Sequence, residues 1–432
     1  MKKIRSGIIG LILMVSGHVN LCATSVGEAY ANASLDQLVA HALEHNGAIN
    51  AAHRQWEASL EKVPQARSWP DPKLNYGVFM RSVETRVGPQ QHKIGIMQPI
   101  PWFGLLKAAE RRASAEAAAA YAHVKTTQLH VVRDVKDLWH ELAWIEEALR
   151  VTGENIQLVK QLEGVAQARF RAGSDLGAVT KAQIELGKLE DRKAAFEDLR
   201  APYKARLNAL LDQDSAGKIS FSQLVPNKFL LPEESILVAR QKEANPLLLQ
   251  LAHRLRKETY SIAYARKQGL PDLGFGIDYI ATGKARSAGV RDSGKDAAVA
   301  MFSISIPLWR GKYKAMVKEA EANRDAVEAT RADLSRQLEA DLRMALYRFR
   351  DAGRKIELYG VTLLPQSRSS LKVARRSYET GKGGFLDLVD AQRVLLEIEL
   401  ERWRALADQK KALALIEMLV GGFQSEEEGT KR

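Results

Sequence analysis

The chain has 432 residues, enough for two or three ordinary domains, and a formal net charge of +12. Its basic residues alternate with acidic ones along predicted helices, as at Glu185 and Lys188, which is typical of a solvated helix surface and argues against a nucleic-acid interface. The single cysteine, Cys22, excludes an intrachain disulfide. No catalytic or cofactor-binding motif is present, so we predict neither an enzyme nor a cofactor.

Residues 1–29 have the features of a signal peptide. Three basic side chains within the first five residues precede a short apolar core, and cleavage is expected between Ala23 and Ala29. The core is too short to span a bilayer, and no later segment reaches about 18 consecutive apolar residues. The protein is therefore predicted to be exported without a transmembrane helix. Lipidation at Cys22, in a weak lipobox, is kept as a minor alternative.

Residues 34–217 are predicted to begin with a helix followed by two strands. Ser34 and Gln37 form a capping box before a helical stripe over 35–67, which Asn46 interrupts. Apolar and polar residues then alternate over 73–80 and again from Ile94 to Ile100, with a polar loop at 82–91 between them. Strands of about nine or ten residues have the length of a tilted membrane strand.

A long helical hairpin completes this first half. A proline-free segment rich in helix-forming residues extends over 105–171 and leads to the first tip, Phe170–Gln183, where Gly173 marks the turn. A second helix is expected over 178–211, and residues 218–232 form an irregular connector.

The second half, residues 233–421, repeats this plan. Its elements are a helix interrupted at Asn245, strands near 273–282 and 302–306 with a loop at 283–296, a long helix with a kink or short break at Pro365, the second tip Tyr378–Gln392, and a last helix over 386–420. A disordered tail is expected at 422–432.

The constant spacing between the halves indicates an internal duplication. Gly104 and Gly311 are 207 positions apart, and Gly173 and Gly381 are 208 apart. The helix lengths also match, because in each half one long helix is as long as two shorter helices placed end to end. Such a unit forms a rod or a wall segment.

Four strands cannot close a barrel, and open strand edges are not tolerated in lipid, so the chain is expected to oligomerise. Three copies supply twelve strands, an even number in the range of outer-membrane barrels. Four aromatic residues at the strand–helix junctions are expected to form an interfacial girdle rather than ordinary turn packing: Trp69, Trp102, Phe103 and Trp309.

Both halves, which together extend over residues 34–421, resemble the TolC family of trimeric outer-membrane efflux ducts. The shared features are Pro-Asp before each first strand, Pro and Gly after each second strand, and a Phe/Tyr-x-x-Gly tip followed by Ala-Gln. The resemblance implies a 12-stranded β-barrel in the outer membrane and an α-barrel in the periplasm. It also implies a periplasmic adaptor and an inner-membrane pump, of RND type, as partners.

The second tip carries the predicted gate. Asp387 and Asp390 share one face at a helix N-terminus. A simpler role for acids at this position is to stabilise the helix by interacting with its dipole. In the TolC family the corresponding Leu-Asp-Leu-Val-Asp-Ala aspartates line the periplasmic entrance, and three copies would place six carboxylates around it. Tyr378 matches a tyrosine that holds the family's entrance closed, but Gly383 stands at the position of its usual arginine partner. Closure is therefore expected to depend on helix packing and on the aspartates.

By position, the tips are also expected to contact the adaptor, through Arg169, Arg171, Gly173, Ser174, Thr380, Gly381 and Lys382. Interhelical roles are favoured over metal binding for the three histidines of the first helix, His41, His45 and His53. Packing in the lumen or in the barrel wall is favoured for the three methionines near the strands, Met80, Met97 and Met301.

One alternative from a different class is kept, namely a periplasmic helical scaffold or adaptor without a channel. The Pro-Trp-Phe-Gly segment at 101–104 is similar to branches of the family linked to heavy-metal efflux. A duct conducts whatever its pump delivers, so the cargo, whether a metal cation, a drug or another solute, is not predicted.

Overall fold

The computed structural model describes residues 34–173, 175–213, 229–422 and 426–427. The predicted signal peptide, Cys22 and Ser174 lie outside the described residues. No helix in the described part of the chain combines the length and apolarity needed to span a membrane.

The first half begins with a capped helix and a kinked continuation. The Ser34 side chain accepts the Gln37 N–H at 3.3 Å, and the Gln37 side chain accepts the Ser34 N–H at 2.8 Å, which confirms the predicted capping box. Two helices and three strands follow: α1 (Leu35–His45), α2 (Gly47–Arg67), β1 (Lys73–Val78), β2 (Glu84–Thr85) and β3 (Gly88–Ile100).

The long helix of the first half has the predicted bounds, and a second helix follows it. Here α3 (Leu105–Arg171) has 67 residues and leads through the first tip into α4 (Gly177–Leu210). Gly173 has φ +97°, a left-handed conformation that glycine adopts without strain. Next come β4 (Phe229–Leu230), α5 (Glu234–Ala244) and α6 (Pro246–Gln268).

The second half continues with two strands and a second hairpin. These elements are β5 (Asp272–Thr282), β6 (Ala297–Ser305), α7 (Arg310–Glu357), a π-helical turn over Leu358–Leu363, α8 (Leu364–Glu379), α9 (Phe385–Leu419) and β7 (Glu426–Glu427). The irregular turn precedes Pro365, as predicted, because a proline cannot donate the backbone hydrogen bond that a regular helix requires.

The four longer strands form one antiparallel sheet in the order β1-β3-β5-β6, with β2 paired to the start of β3. Within the described residues β1 pairs only with β3, and β6 pairs only with β5. Each therefore leaves one edge without a partner strand.

The helices pack side by side around α3. Its neighbours are α2 and α6 along one part of its length and α4 and α9 along the other, while α7 packs on α6 and α9. Two separate apolar clusters join the helices of each half. Leu38, Leu142 and Leu207 pack together from α1, α3 and α4, and Leu237, Leu342 and Ile416 pack together from α5, α7 and α9. The protomer is thus a long layer of helices with α2 and α4 at one side and α7 and α8 at the other.

A buried asparagine marks the break at the start of each half. Asn46 caps α2 by accepting the Ala48 N–H at 3.0 Å, and its amide donates to the Leu210 carbonyl at 2.9 Å. Asn245 caps α6 in the same way and donates to the Leu419 carbonyl at 2.8 Å. Each asparagine therefore joins the kinked helix to the end of the hairpin helix stacked on it.

Three predicted segments differ from the structure: the loop at 82–91, the connector and the tail. The expected loop at 82–91 is wrong in part, because β3 already begins at Gly88 and β2 pairs with it. Its first residues are polar and hide the strand alternation, whereas backbone pairing such as Gln90↔Thr282 extends the strand. In the expected tail, Glu426–Glu427 pairs with Phe229–Leu230, so neither the tail nor the connector at 218–232 is wholly irregular. Residues 218–228 of the connector lie outside the described residues.

Candidate functional site

The second tip is a tight turn closed by its own backbone. Gly381, with φ +79°, donates its N–H to the Tyr378 carbonyl at 3.1 Å, and the Lys382 N–H donates to the Ser377 carbonyl at 2.9 Å. Such bonds satisfy the last carbonyls of α8 in the manner of a helix C-cap. Gly173, Gly381 and Lys382, predicted to contact an adaptor, are all exposed at this end of the molecule.

Asp387 and Asp390 are both exposed at the start of α9, one helical turn apart. The Gly384 N–H donates to Asp387 Oδ2 at 3.2 Å, so this carboxylate caps the helix while remaining in contact with solvent. Asp390 lies near Arg393. The pKa of Arg393 is raised mainly by its hydrogen bond to Glu185 and, to a smaller extent, by the charge of Asp390. The two acids therefore differ, since one has a capping role and the other has a basic neighbour.

Tyr378 is buried between the two tips. Its ring packs edge-on against Phe385, with 5.4 Å between centroids, and the Arg169 guanidinium carbon lies over the ring, 4.6 Å from its centroid. Arg169 Nη1 also donates to the Tyr378 carbonyl at 2.7 Å. Arg169, on the first hairpin, thus supplies the arginine contact that Gly383 cannot make.

Two further polar contacts join the hairpins deeper in the helical layer. Gln392 Nε2 donates to Asn155 Oδ1 at 3.0 Å in a buried position, and Arg393 Nε donates to Glu185 Oε2 at 2.9 Å. Sequence reasoning missed both pairs. A signal was present for one of them, since Glu185 and Arg393 are separated by 208 residues, the same offset as the two tip glycines.

A charged cluster in the centre of the helical layer was also missed. Glu141 is buried and accepts hydrogen bonds from Arg404 and Lys411, each at 2.7 Å. Burial by itself would raise the pKa of Glu141, but these two hydrogen bonds outweigh it and lower that pKa. One turn away, burial raises the pKa of Asp137 to about 6, against the opposing charges of Arg133 and Lys411.

The strand register separates two chemically different faces of the sheet. Directly paired residues share a face in an antiparallel sheet. One face presents exposed apolar side chains from all four long strands: Leu74, Tyr76, Ile94, Ile96, Phe275, Ile277, Tyr279, Phe302 and Ile304. The opposite face carries Gly95, Gly276, Asp278 and Ser303, and Lys93 forms an ion pair with Asp278 there.

The predicted girdle residues lie at one end of this sheet. Trp69 precedes β1, Trp102 and Phe103 follow β3, and Trp309 precedes α7. Trp69, Phe103 and Trp309 are strongly exposed, and Phe103 packs edge-on against Trp102 with 6.1 Å between ring centroids. Exposed aromatic rings at one level of a sheet are typical of a membrane–water boundary.

The histidines of the first helices make packing contacts. His41 and His45 stack with 4.2 Å between ring centroids, and His41 Nε2 lies 3.0 Å from the Leu211 carbonyl oxygen. His53 lies edge-on to Trp56. Within the described residues no three His, Cys, Asp or Glu side chains are placed to hold a metal ion together.

Comparison with known proteins identifies the family. Residues 38–213 and 237–422 each match the family description "Outer membrane efflux protein". The chain belongs to the outer membrane efflux protein family. The resemblance to the TolC family is thereby confirmed.

Individual relatives extend over most of the chain. The cobalt-zinc-cadmium resistance protein CzcC of Cupriavidus metallidurans is 22% identical over 401 residues, covering 91% of both chains. The pyoverdine export outer membrane protein OpmQ of Pseudomonas putida is 24% identical and covers 76% of this chain and 69% of that protein. The solved structure of VceC from Vibrio cholerae has the same fold, with a TM-score of 0.75 at 18% identity over 91% of this chain and 98% of that one.

These findings establish the class of function. The chain is an outer-membrane efflux channel protein, an exit duct that extends into the periplasm, and it is a transport protein and not an enzyme. The predicted function and location are confirmed, and the scaffold alternative is set aside.

Proposed function

We propose that three copies of the chain assemble into one duct with a 12-stranded β-barrel and a continuous α-barrel. The observation that carries this proposal is the four-stranded sheet with unpaired edges on β1 and β6 and an exposed apolar face. Open edges and unsatisfied backbone groups are not stable in lipid. Pairing β6 of one copy with β1 of the next removes both edges and turns the apolar face toward lipid.

The helical layer supports the same assembly. A 67-residue helix spans roughly 100 Å, enough to extend well beyond the membrane. In this proposal the chain is an internal duplication, with repeats at 34–217 and 233–421 separated by a connector at 218–232. The two separate matches to one family description support the duplication. The sides formed by α2 and α4 and by α7 and α8 are then covered by neighbouring copies.

In this assembly Trp69, Trp102, Phe103 and Trp309 form the girdle at the periplasmic boundary of the membrane. The exposure of Trp69, Phe103 and Trp309 at the junction of strands and helices supports that placement. Residues 1–29 are the signal peptide that directs export, and lipidation of Cys22 is not required, because the barrel itself anchors the protein.

The tips form the periplasmic entrance of the duct. Asp387 and Asp390 of three copies place six carboxylates around the axis, an arrangement that favours cations. Their exposure supports this role, and the capping function of Asp387 is compatible with it. Tyr378 acts in closure from inside the protomer, where it joins the two hairpins through Arg169.

The partners in this proposal are a periplasmic adaptor and an inner-membrane pump of the RND type, which together make a tripartite system. Exposure of Gly173, Gly381 and Lys382 supports tip contact with the adaptor, while Ser174, the remaining predicted contact, lies outside the described residues. The relatives are named for different cargoes, metal ions for CzcC and pyoverdine for OpmQ, which fits a duct that conducts what its pump supplies.

Single-channel recording in planar bilayers tests this function. The wild-type trimer is expected to conduct with a preference for cations and to be blocked by millimolar Mg²⁺. In Asp387→Asn combined with Asp390→Asn the charge is lost while an oxygen remains to cap α9, so cation selectivity and Mg²⁺ block are expected to fall sharply.

The matched control removes two exposed acids elsewhere, in Asp191→Asn combined with Asp198→Asn on α4. This control is expected to keep the wild-type selectivity. The ring of carboxylates is contradicted if both double variants behave like the wild type, and the duct itself is contradicted if the wild-type trimer does not conduct.

A further inference from the structure

The two halves of the chain pack their helices in the same way, so residues of one half have equivalents in the other. On α4 and α9 the carbonyls of Leu210 and Leu419, which are 209 positions apart, accept the two asparagine amides. Four buried residues of α3 recur on α7 at positions 207 higher, where Val131, Val135, Leu138 and Leu142 correspond to Leu338, Leu342, Ala345 and Phe349. Helix α7 therefore corresponds to α3 with an offset of 207, and α9 corresponds to α4 with an offset of 209.

This correspondence reveals one uncovered side on α7 and one on α4. The contacts of α3 with α1, α2 and α4 recur as contacts of α7 with α5, α6 and α9. Helix α3 also packs on α9, but no helix in the described part of the chain holds that place on α7. Likewise α9 packs on both α7 and α3, whereas α4 packs closely on α3 only. Each of these two helices therefore has a side that is covered on its counterpart.

Large apolar side chains are exposed on the uncovered side of α7. Val151 on α3 is buried in one apolar cluster with Leu396 of α9, whereas its equivalent on α7, Leu358, is 42% exposed. Asp137 on α3 lies near α9, and its equivalent, Met344, is 51% exposed. Exposed apolar side chains along one side of a helix indicate an interaction surface.

The uncovered side of α4 has small residues at the matching places. Gly187 is the equivalent of Leu396, and Ala194 is the equivalent of Trp403. Gly187 is exposed inside α4, and a Cβ there would meet no atom within 4 Å. Glycine costs about 1 kcal/mol relative to alanine in a helix, and no contact within one copy requires it here. Its lack of a side chain allows a large residue of another helix to approach closely.

The charges of the two places are also exchanged. Within one copy, Glu141 of α3 accepts hydrogen bonds from Arg404 and Lys411 of α9. The equivalent of Glu141 on α7 is Arg348, which is exposed, so a helix with these two bases would be repelled there. Helix α4 has neither base, because the equivalent positions are occupied by uncharged residues, Ala195 and Pro202.

We propose that the uncovered side of α7 binds α4 of a neighbouring copy, in the register that α3 and α9 have within one copy. Leu358 packs over Gly187, and Arg348 lies beside Ala195, where no base opposes it. This interface rests on the proposed trimer and specifies the register of its helices. The exchanged charges make α7 select the first hairpin of the next copy over a second α9.

Cysteine cross-linking of the full-length protein in outer membranes tests the register. Gly187→Cys is combined with Leu358→Cys, and Cys22→Ser removes the native thiol. Treatment with a short bifunctional thiol reagent is expected to join neighbouring copies, giving covalent dimers and trimers in denaturing gels. Either single cysteine variant is expected to remain at the mobility of the monomer.

The matched control is Val151→Cys combined with Leu396→Cys, the equivalent pair on α3 and α9. It is expected to cross-link within one copy, so the protein keeps the mobility of a monomer. Moving one cysteine from position 187 to Ala194 shifts it about 10 Å along α4, so cross-linking to Leu358→Cys is expected to fall about fivefold or more. Equal cross-linking at the two positions would overturn the register.

The oligomeric state of each variant before cross-linking separates two kinds of failure. It is measured by light scattering of the detergent-solubilised protein. A trimer that gives no cross-links between copies would overturn the proposed interface and leave the trimer intact. A wild-type protein that is not a trimer would overturn the proposed assembly, and the interface with it.

The exchanged charges are tested by a pair of substitutions. Ala195→Arg introduces the base of α9 beside Arg348 and is expected to lower the temperature at which the trimer dissociates in detergent by several degrees. Addition of Arg348→Glu recreates the pair of Glu141 and Arg404 between copies, so it is expected to reverse the loss. Arg348→Lys keeps the positive charge and should not reverse it. Reversal by both second substitutions, or by neither, would contradict the placement of Arg348 beside Ala195.

Discussion

Arg169 is the side chain that joins the two tips most directly. Its guanidinium stacks on Tyr378 and also donates to the Tyr378 carbonyl at 2.7 Å. The sequence predicted Arg169 only as a position for adaptor contact and left Tyr378 without an arginine partner. Position in the chain could not reveal the pair, because the two residues are 209 apart and meet only when the hairpins pack.

Loss of this contact is expected to loosen the entrance. Arg169→Ala removes a cation–π contact and a charged hydrogen bond, together about 1–3 kcal/mol. In bilayer recordings we expect a higher mean conductance and more frequent opening than in the wild type. Arg171→Ala, which removes an exposed arginine two residues away, is the control. Equal conductance of the two variants would rule out Arg169 as a closing contact.

Asp137 shows how burial changes a single charge in the helical layer. Its pKa is raised to about 6 by burial, while Arg133 and Lys411 lower it and Asp134 and Glu141 raise it. A carboxyl group with a raised folded-state pKa binds its proton more tightly in the folded protein. Its stabilising contribution is therefore complete below pH 4 and is lost as the pH rises through about 6.

The consequence can be measured by thermal unfolding of the detergent-solubilised protein at pH 5 and pH 7.5. Asp137→Asn is neutral at both values, so it is expected to stabilise the protein by about 1 kcal/mol at pH 7.5 and by less at pH 5. Asp198→Asn, an exposed acid on α4, is the control and should leave the pH dependence unchanged. A larger gain for Asp137→Asn at pH 5 than at pH 7.5 would contradict this assignment.

At the scale of elements, the breaks between α1 and α2 and between α5 and α6 were predicted from Asn46 and Asn245. The sequence indicated that helix ended there, since Asn favours helix caps. The sequence did not explain why both asparagines are buried. The structure shows that each also donates to the last turn of a helix from the hairpin, α4 or α9, and so fixes how two short helices stack beside a long one.

Asn46→Ala is expected to cost about 1–3 kcal/mol, because it removes the cap of α2 and leaves the partly buried Leu210 carbonyl without its donor. The free energy of unfolding in urea measures the loss. Asn50→Ala, at an exposed position in the same helix, should cost much less. Similar losses in the two variants would mean that the junction does not depend on the Asn46 contacts.

At the scale of the whole molecule, the chain in isolation exposes a sheet with two free edges and an apolar face. In the proposed trimer, lipid covers the apolar face and neighbouring copies pair with both edges. Assembly should therefore be sensitive to which face of a strand is altered. Adjacent residues on β6 provide a matched pair, because Phe302 belongs to the apolar face and Ser303 to the polar one.

Phe302→Lys is expected to cost about 2–4 kcal/mol near the middle of the membrane and to abolish the trimer. Ser303→Lys should be tolerated, since in the proposed barrel its side chain would face the lumen. The measurement is heat-modifiable mobility of the outer-membrane fraction in detergent gels. Stable trimers of Phe302→Lys would contradict a lipid-facing apolar surface.

The amino-acid sequence by itself determined the element types, most of their boundaries and the family. These depend on local patterns, namely helical periodicity over α3, alternation in β5, capping at Ser34 and turns at Gly173 and Gly381. The start of β3 was missed because polar residues there carry no alternation, and only pairing with β2 and β5 extends the strand.

Only the tertiary structure decided which side chains meet. The contacts between Arg169 and Tyr378, between Glu185 and Arg393, and around the Met97 thioether all join residues about 200 positions apart. Periodicity assigns a residue to a face of its own helix or strand, but the rotation and offset of packed elements determine its partner. For the same reason the sequence indicated only lumen or wall packing for Met97 and Met301, whereas the strand register pairs both residues with Gly276.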